Sequence, residues 1–170
     1  NMQLNIGVEQ RQVMLRKMEH GENKNMNISK EGIALIKRFE GCELKAYLDS
    51  VDIPTIAYGR IKNVQMGDTC TQEQAEEWLE EELPEYEGYI NDMVKVDLEQ
   101  CQFDALCSWV YNLGPNNLKE STLLKVLNEE KYAEVPQQIK RWNKAGGVVL
   151  NGLIVRRQAE ALLFEGKEWL

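Results

Sequence analysis

Glu40, Asp49 and Thr55 fall within one short stretch, Arg38-Phe-Glu-Gly-Cys-Glu-Leu-Lys-Ala-Tyr-Leu-Asp-Ser-Val-Asp-Ile-Pro-Thr-Ile-Ala-Tyr-Gly-Arg60. Two carboxylates and a hydroxyl set around a tight turn suit hydrolysis of a bond between two sugars. One acid protonates the leaving oxygen, and a carboxylate on the other face activates water or stabilises the cationic sugar. A hydroxyl beside that second carboxylate can hold the water. The plainer alternative makes Glu40 a surface helix residue and Asp49 an ordinary turn former.

The local pattern separates the two acids. Glu40 shares a helical stripe with Ile33 and Ile36, so burial and the negative end of the helix both favour its protonated form. Asp49 sits in a turn beside Ser50 and Asp52, where solvent and backbone amides favour the ionised form. Asp52 is a second acid close enough in sequence to compete for the role of Asp49.

These side chains need elements to hold them. Ser29 is placed to cap a helix running to Glu40, with Ile33, Ile36 and Phe39 inward and Gly41 as its stop. Residues 44–48 and 53–58 read as strands about a turn at 49–52, followed by a loop or a further short strand to Asp68. Thr71 and Gln74 form a capping box that opens a second helix, which Pro84 should kink or divide before the pattern resumes to Met93. Phe103, Leu106, Trp109, Val110 and Leu113 then mark one helix face, ending at Gly114-Pro115. Short helices are expected at 123–127 and 132–142, a loop at Gly146-Gly147 and a last helix over 153–164. The expected architecture is α+β: a small N-terminal lobe with a β-hairpin and a larger all-helical C-terminal lobe, joined by a long helix. A cleft between such lobes suits a polymer.

Composition narrows the class. The 170 residues suit one domain with a core, and the net charge of −8 is nearly all in the block Asp68 to Glu87, which carries nine acids and no base. Such a block reads as a solvated helix face. No basic stripe is available for nucleic acid, and no apolar run reaches the roughly 20 residues of a membrane span. Cys42, Cys70, Cys101 and Cys107 lack metal-ligand spacing, and His20 is the single histidine, so neither a metal nor another cofactor is expected. The cysteines are expected as reduced thiols. Residues 1–27 read as a polar extension with a weak stripe (Val8, Met14, Leu15, Met18) that offers a protein-binding helix, and residues 28–170 as the domain.

Residues 28–60 resemble the catalytic stretch of the phage-type lysozymes, the endolysins related to bacteriophage T4 lysozyme. Gln102-Phe-Asp-Ala-Leu, Asn112-Leu-Gly, Ser121-Thr-Leu-Leu, Arg141-Trp-Asn-Lys-Ala-Gly-Gly and Gly152-Leu-Ile-Val-Arg-Arg-Gln-Ala-Glu resemble the same family's helical lobe. The resemblance implies a lysozyme-like fold hydrolysing the β-1,4 bond between N-acetylmuramic acid and N-acetylglucosamine in peptidoglycan. It implies Glu40 as proton donor, Asp49 as second carboxylate and Thr55 as water holder. It places Ile61, Tyr111, Asn112 and Ser121 along the sugar groove, and Arg156 or Arg157 beside the catalytic acid. Tyr111 as packing, Ser121 as a helix cap and the arginines as surface charges are the plainer readings. Ala57 departs from the family's usual glycine; with φ above zero, or against sugar, its methyl would weaken activity. Asp52 likewise stands where glycine is common.

Two other functions fit the same residues: a lytic transglycosylase using one glutamate, and a non-catalytic glycan-binding or virion-associated domain on this fold. For a hydrolase the expected setting is a monomer in the host bacterial cytoplasm. It would be released to the wall through a holin-type opening, without inserting in the membrane itself. Attachment to the virion through the extension is the other possibility.

Overall fold

The computed structural model describes residues 25–170. The stripe expected within residues 1–24, with its partner-binding role, lies outside the described residues. The chain forms helix α1 (Lys30–Glu40), a hairpin of β1 (Glu43–Leu48) and β2 (Pro54–Ala57), and the long helix α2 (Gln72–Met93). Helices α3 (Gln100–Leu113), α4 (Pro115–Glu120) and α5 (Thr122–Asn128) follow, then a 3-10 turn at Tyr132–Glu134 and α6 (Val135–Lys140). A second hairpin of β3 (Lys144–Ala145) and β4 (Val148–Val149) leads into α7 (Asn151–Phe164). This is the expected α+β architecture.

Two separate cores define the lobes. Ile36, Ile56, Ala57, Ala75, Leu79 and Leu83 fill the small one. Leu35, Ile90, Phe103, Leu106, Trp109 and Phe164 belong to the large one. Leu35 and Ile36 are neighbours about 100° apart around α1, so one helix faces both cores. The long α2 does the same along its length, with Leu79 and Leu83 in the first core and Ile90 in the second.

Pro84 lies inside α2 and does not divide it. An interior proline costs about 3 kcal/mol, but burial of apolar side chains on both sides of it outweighs that loss. Pro115 likewise starts a helix rather than ending one. Gly114, at φ +84°, breaks the chain, and the proline's missing N–H costs nothing in the first turn of α4. The expected loop at Gly146-Gly147 is the turn of the second hairpin. Both glycines take positive φ, 57° and 80°, as a two-residue I′ turn requires.

Local ties fix α1. Ser29 occupies its N-cap without capping it; its N–H and hydroxyl both donate to the Asp104 carboxylate of α3. A Cβ at Gly32 would lie 2.8 Å from Asp104 Cβ, so α1 and α3 pack almost backbone to side chain. Upstream, Asn91 of α2 grips the backbone of Met26 twice, accepting from its N–H at 3.1 Å and donating to its carbonyl at 3.0 Å. The Ile28 N–H donates to Glu87 at 2.6 Å, and Gln100 donates to the Asn27 carbonyl at 2.8 Å. Met26 and Asn27 are thus tied to the helices of the domain.

Candidate active site

Glu40 is the last residue of α1, where Gly41 (φ +66°) turns the chain out of the helix. Its side chain, 16% exposed, reaches the floor of a cleft of about 690 Å³ between the hairpin lobe and the helical lobe. Arg156 of α7 holds it there, with Nη1 3.1 Å from Oε1. Gly59, at φ +82°, lets the loop after β2 pass close by; a Cβ at that position would lie 3.0 Å from Glu40 Oε2.

Asp49 and Thr55 stand on the hairpin wall of the same cleft. Asp49 opens the turn between the strands and uses Oδ1 to accept the N–H groups of Val51 and Ile53, both at 2.9 Å. That rigid turn leaves Oδ2 for another partner. The Thr55 hydroxyl donates to the Ile53 carbonyl at 2.8 Å, so its oxygen is left to accept. A carboxylate oxygen and a hydroxyl oxygen, both acceptors, suit a water whose two protons need partners.

Ile61, Tyr111 and Asn112 also line the cleft. Tyr111 donates to the Tyr58 carbonyl at 2.6 Å and packs on Tyr86 of α2 with ring centres 4.8 Å apart. It thus ties the helical lobe to the hairpin lobe. Burial, with Glu40 and Glu82 nearby, pushes the Tyr111 phenol well up. Burial, with Glu85 and Glu82 beside it, pushes Tyr86 up to about 12. Both rings therefore present neutral hydroxyls at neutral pH.

Ser121 is not in this cleft. It caps α5, accepting from the Leu124 N–H at 3.0 Å and donating to the Leu118 carbonyl at 2.7 Å, and it borders a separate depression with Gln138 and Trp142. The capping reading describes its geometry. The two arginines also part company. Arg156 meets Glu40, whereas Arg157 points into the core and donates to Asn112 Oδ1 at 2.8 Å. Neither is a surface charge: Arg156 is 3% exposed and Arg157 0%.

The two departures behave differently. Ala57 takes φ +56°, as feared, but its methyl packs in the small core and does not line the cleft. Asp52, at φ +61°, is an exposed turn residue that also stands apart from the cleft, which leaves Asp49 as the carboxylate on that wall.

Sequence reasoning missed the α2 side of the cleft. Glu81, Glu82, Glu85 and Tyr86 of α2 line the cleft, so part of the acidic block faces the site instead of open solvent. Their spacing along one helical face was the available signal. Arg60 partly offsets them, pairing with Glu82 at 3.1 Å and stacking over Trp78. Among the described residues no cluster of His, Cys, Asp and Glu is arranged to hold a metal, and all four cysteines are unpaired.

An arginine-paired glutamate and a turn-held aspartate that share an interlobe cleft suit acid-assisted hydrolysis of a glycosidic bond. The phage lysozyme family profile matches residues 37–160. The chain is 44% identical over 144 residues to the endolysin of Acyrthosiphon pisum secondary endosymbiont phage 1, covering 82% of this chain and 99% of that one. It also matches endolysins of Bacillus phages B103 and PZA, of which it spans about half, 54% and 55%. Among solved structures it resembles an endolysin from Escherichia coli O157:H7 phage FAHEc1 (TM-score 0.76, 39% identity, covering 82% of this chain and 93% of that one). It is similar to the muramidase domain of SpmX from Asticaccaulis excentricus at TM-score 0.76 and 34% identity, covering 81% and 97%. The chain belongs to the phage lysozyme family, and its class is that of the lytic cell-wall hydrolases.

Proposed function

We propose that this protein cleaves the β-1,4 bond between N-acetylmuramic acid and N-acetylglucosamine in bacterial peptidoglycan. Glu40 donates its proton to the leaving oxygen while Asp49 and Thr55 orient the attacking water. The observation that carries the reading is the shared cleft: an acid at the floor, and two free acceptor oxygens on the hairpin wall. A single displacement needs a water held in place at the first step, and this pair of acceptors supplies the hold. A transglycosylase has no use for such a pair.

The test is lysis of outer-membrane-permeabilised bacteria followed by analysis of the fragments. Wild type should release soluble pieces with reducing ends. Glu40→Gln and Asp49→Asn should each lower turnover by a factor of about 100 or more with unfolding temperature retained. Asp52→Asn should act like wild type. Near-normal lysis by Glu40→Gln, or fragments ending in 1,6-anhydro sugars, would overturn the proposal. Among the described residues no helix is long and apolar enough to cross a membrane. Release to the wall through an opening made by another protein belongs to the same proposal.

A further inference from the structure

Behind the cleft floor lies a cluster of charge closed off from solvent. Glu160 is 0% exposed, and it is the one carboxylate shared by Arg156 (3%) and Arg157 (0%). Its Oε2 lies 3.3 Å from Arg156 Nε and its Oε1 2.8 Å from Arg157 Nε. Ser108 of α3 donates its hydroxyl to Glu160 Oε2 at 2.5 Å and takes a contact from Arg156 Nη2 at 3.3 Å. Arg156 Nη2 also donates to the Ser108 carbonyl at 3.2 Å. Two buried cations thus meet one buried anion. Arg156 turns its remaining nitrogen, Nη1, to Glu40 Oε1 at 3.1 Å.

From this arrangement we propose that Glu160 is a positioning residue for the acid: it fixes Arg156 against Glu40 and sets the net charge standing behind it. The proposal rests on Glu40 being the proton donor. A guanidinium with no carboxylate of its own favours the ionised form of any acid it touches, which is the wrong form for donating a proton. Glu160 supplies that carboxylate from within the core and leaves the Glu40 contact to serve alignment. The same side chain steadies Arg157, which reaches the cleft through Asn112 at 2.8 Å.

Other titratable groups around Glu40 come from every neighbouring element: Tyr47 of β1 with Asp49 beyond it, Lys62 of the loop after β2, Glu81, Glu82, Glu85 and Tyr86 of α2, Tyr111 of α3, and Arg156 and Arg157 of α7. Of the cations among them, Arg156 is the one in direct contact with Glu40. Burial pushes Arg157 down to about 10 and Glu160 up, against the pull of their mutual pairing.

A structural role and a positioning role differ in sign. Glu160→Gln keeps the shape and removes one negative charge. It should move the alkaline limb of the kcat/KM profile toward acid by about one pH unit, and lower kcat more than it changes KM. Arg157→Gln removes a positive charge and should move the same limb toward alkaline. Glu160→Asp keeps the charge and should leave the limb in place even where the unfolding temperature drops. Folded Glu160→Gln and Arg157→Gln proteins whose limbs coincide with wild type, or shift in the same direction, would overturn the proposal. If Glu160→Gln does not fold, Arg157→Gln decides alone, and an unmoved or acid-shifted limb counts against the inference. The two readings fail separately: an active Glu40→Gln sinks the proton-donor assignment, whereas an inactive Glu40→Gln with unmoved limbs sinks only the role of Glu160.

Discussion

At φ +82° and with only a hydrogen in place of a side chain, Gly59 lets the loop after β2 run beside the Glu40 carboxylate. Gly59→Ala would add a methyl 3.0 Å from Glu40 Oε2 and force an L-residue into the left-handed region. The backbone penalty is about 1–2 kcal/mol, seen as a lower unfolding temperature. Turnover should fall further than stability suggests, by about tenfold to a hundredfold, because displacing an aligned acid by an ångström is costly. Single-turnover cleavage of a soluble glycan, beside a thermal melt, separates the two effects. That Glu40, Asp49 and Thr55 would stand in one cleft was legible in the sequence, because they are close along the chain and the turn that joins them is local. Gly59 carried a weaker sign, since nothing in a sequence says which side chain a glycine makes room for. The choice between Arg156 and Arg157 was equally closed to sequence reasoning. They are adjacent on α7, and only the helix's rotation against α1 and α3 sends one to Glu40 and the other to Asn112.

Elements brace one another through a polar cluster on the outside of the small lobe. Glu76 of α2 pairs with Lys37 of α1 and accepts from Tyr58 at 2.7 Å and from Gln72 at 3.0 Å. The Lys37 ammonium, helped by those donors, holds the Glu76 carboxyl below its ordinary value. A carboxyl lowered in the folded state contributes stability above its unfolded value, and that contribution is lost as pH falls through the folded one. Amide protection factors in α1 and the first turns of α2 should therefore fall below about pH 4, and Glu76→Gln should remove that dependence while leaving α7 unaffected. Most of these elements could be read from pattern: the capping box at Thr71 and Gln74 is present, and the first hairpin sits where alternation and turn residues put it. Sequence reasoning failed where one residue has two opposite local meanings. Pro84 was read as a kink or a division and Pro115 as a helix end; α2 runs on through the first because of packing, and the second opens a helix because of its position in the first turn. The second hairpin has two-residue strands, too short to show a period.

Across the whole molecule, the separation into two cores explains why the cleft exists. Each lobe buries its own apolar residues, and α1 and α2 are shared between them, so the gap between lobes is lined mainly by charged and hydroxyl-bearing side chains. The net charge of the chain also acquires a location, since Glu81, Glu82 and Glu85 line the same cleft as Asp49. Sequence counting found the block but not its direction, which depends on the rotation of α2. That same rotation fixes the side of α2 on which Met26 and Ile28 are held. Glu87 and Asn91, which grip Ile28 and Met26, lie about half a turn around α2 from the residues facing the cleft. Cargo joined ahead of Met26 is therefore delivered to the rear of the catalyst. A bulky fluorescent protein fused there should leave the rate on soluble glycan within about twofold of the unfused protein, whereas the same protein inserted at the tip of the first hairpin should block the mouth.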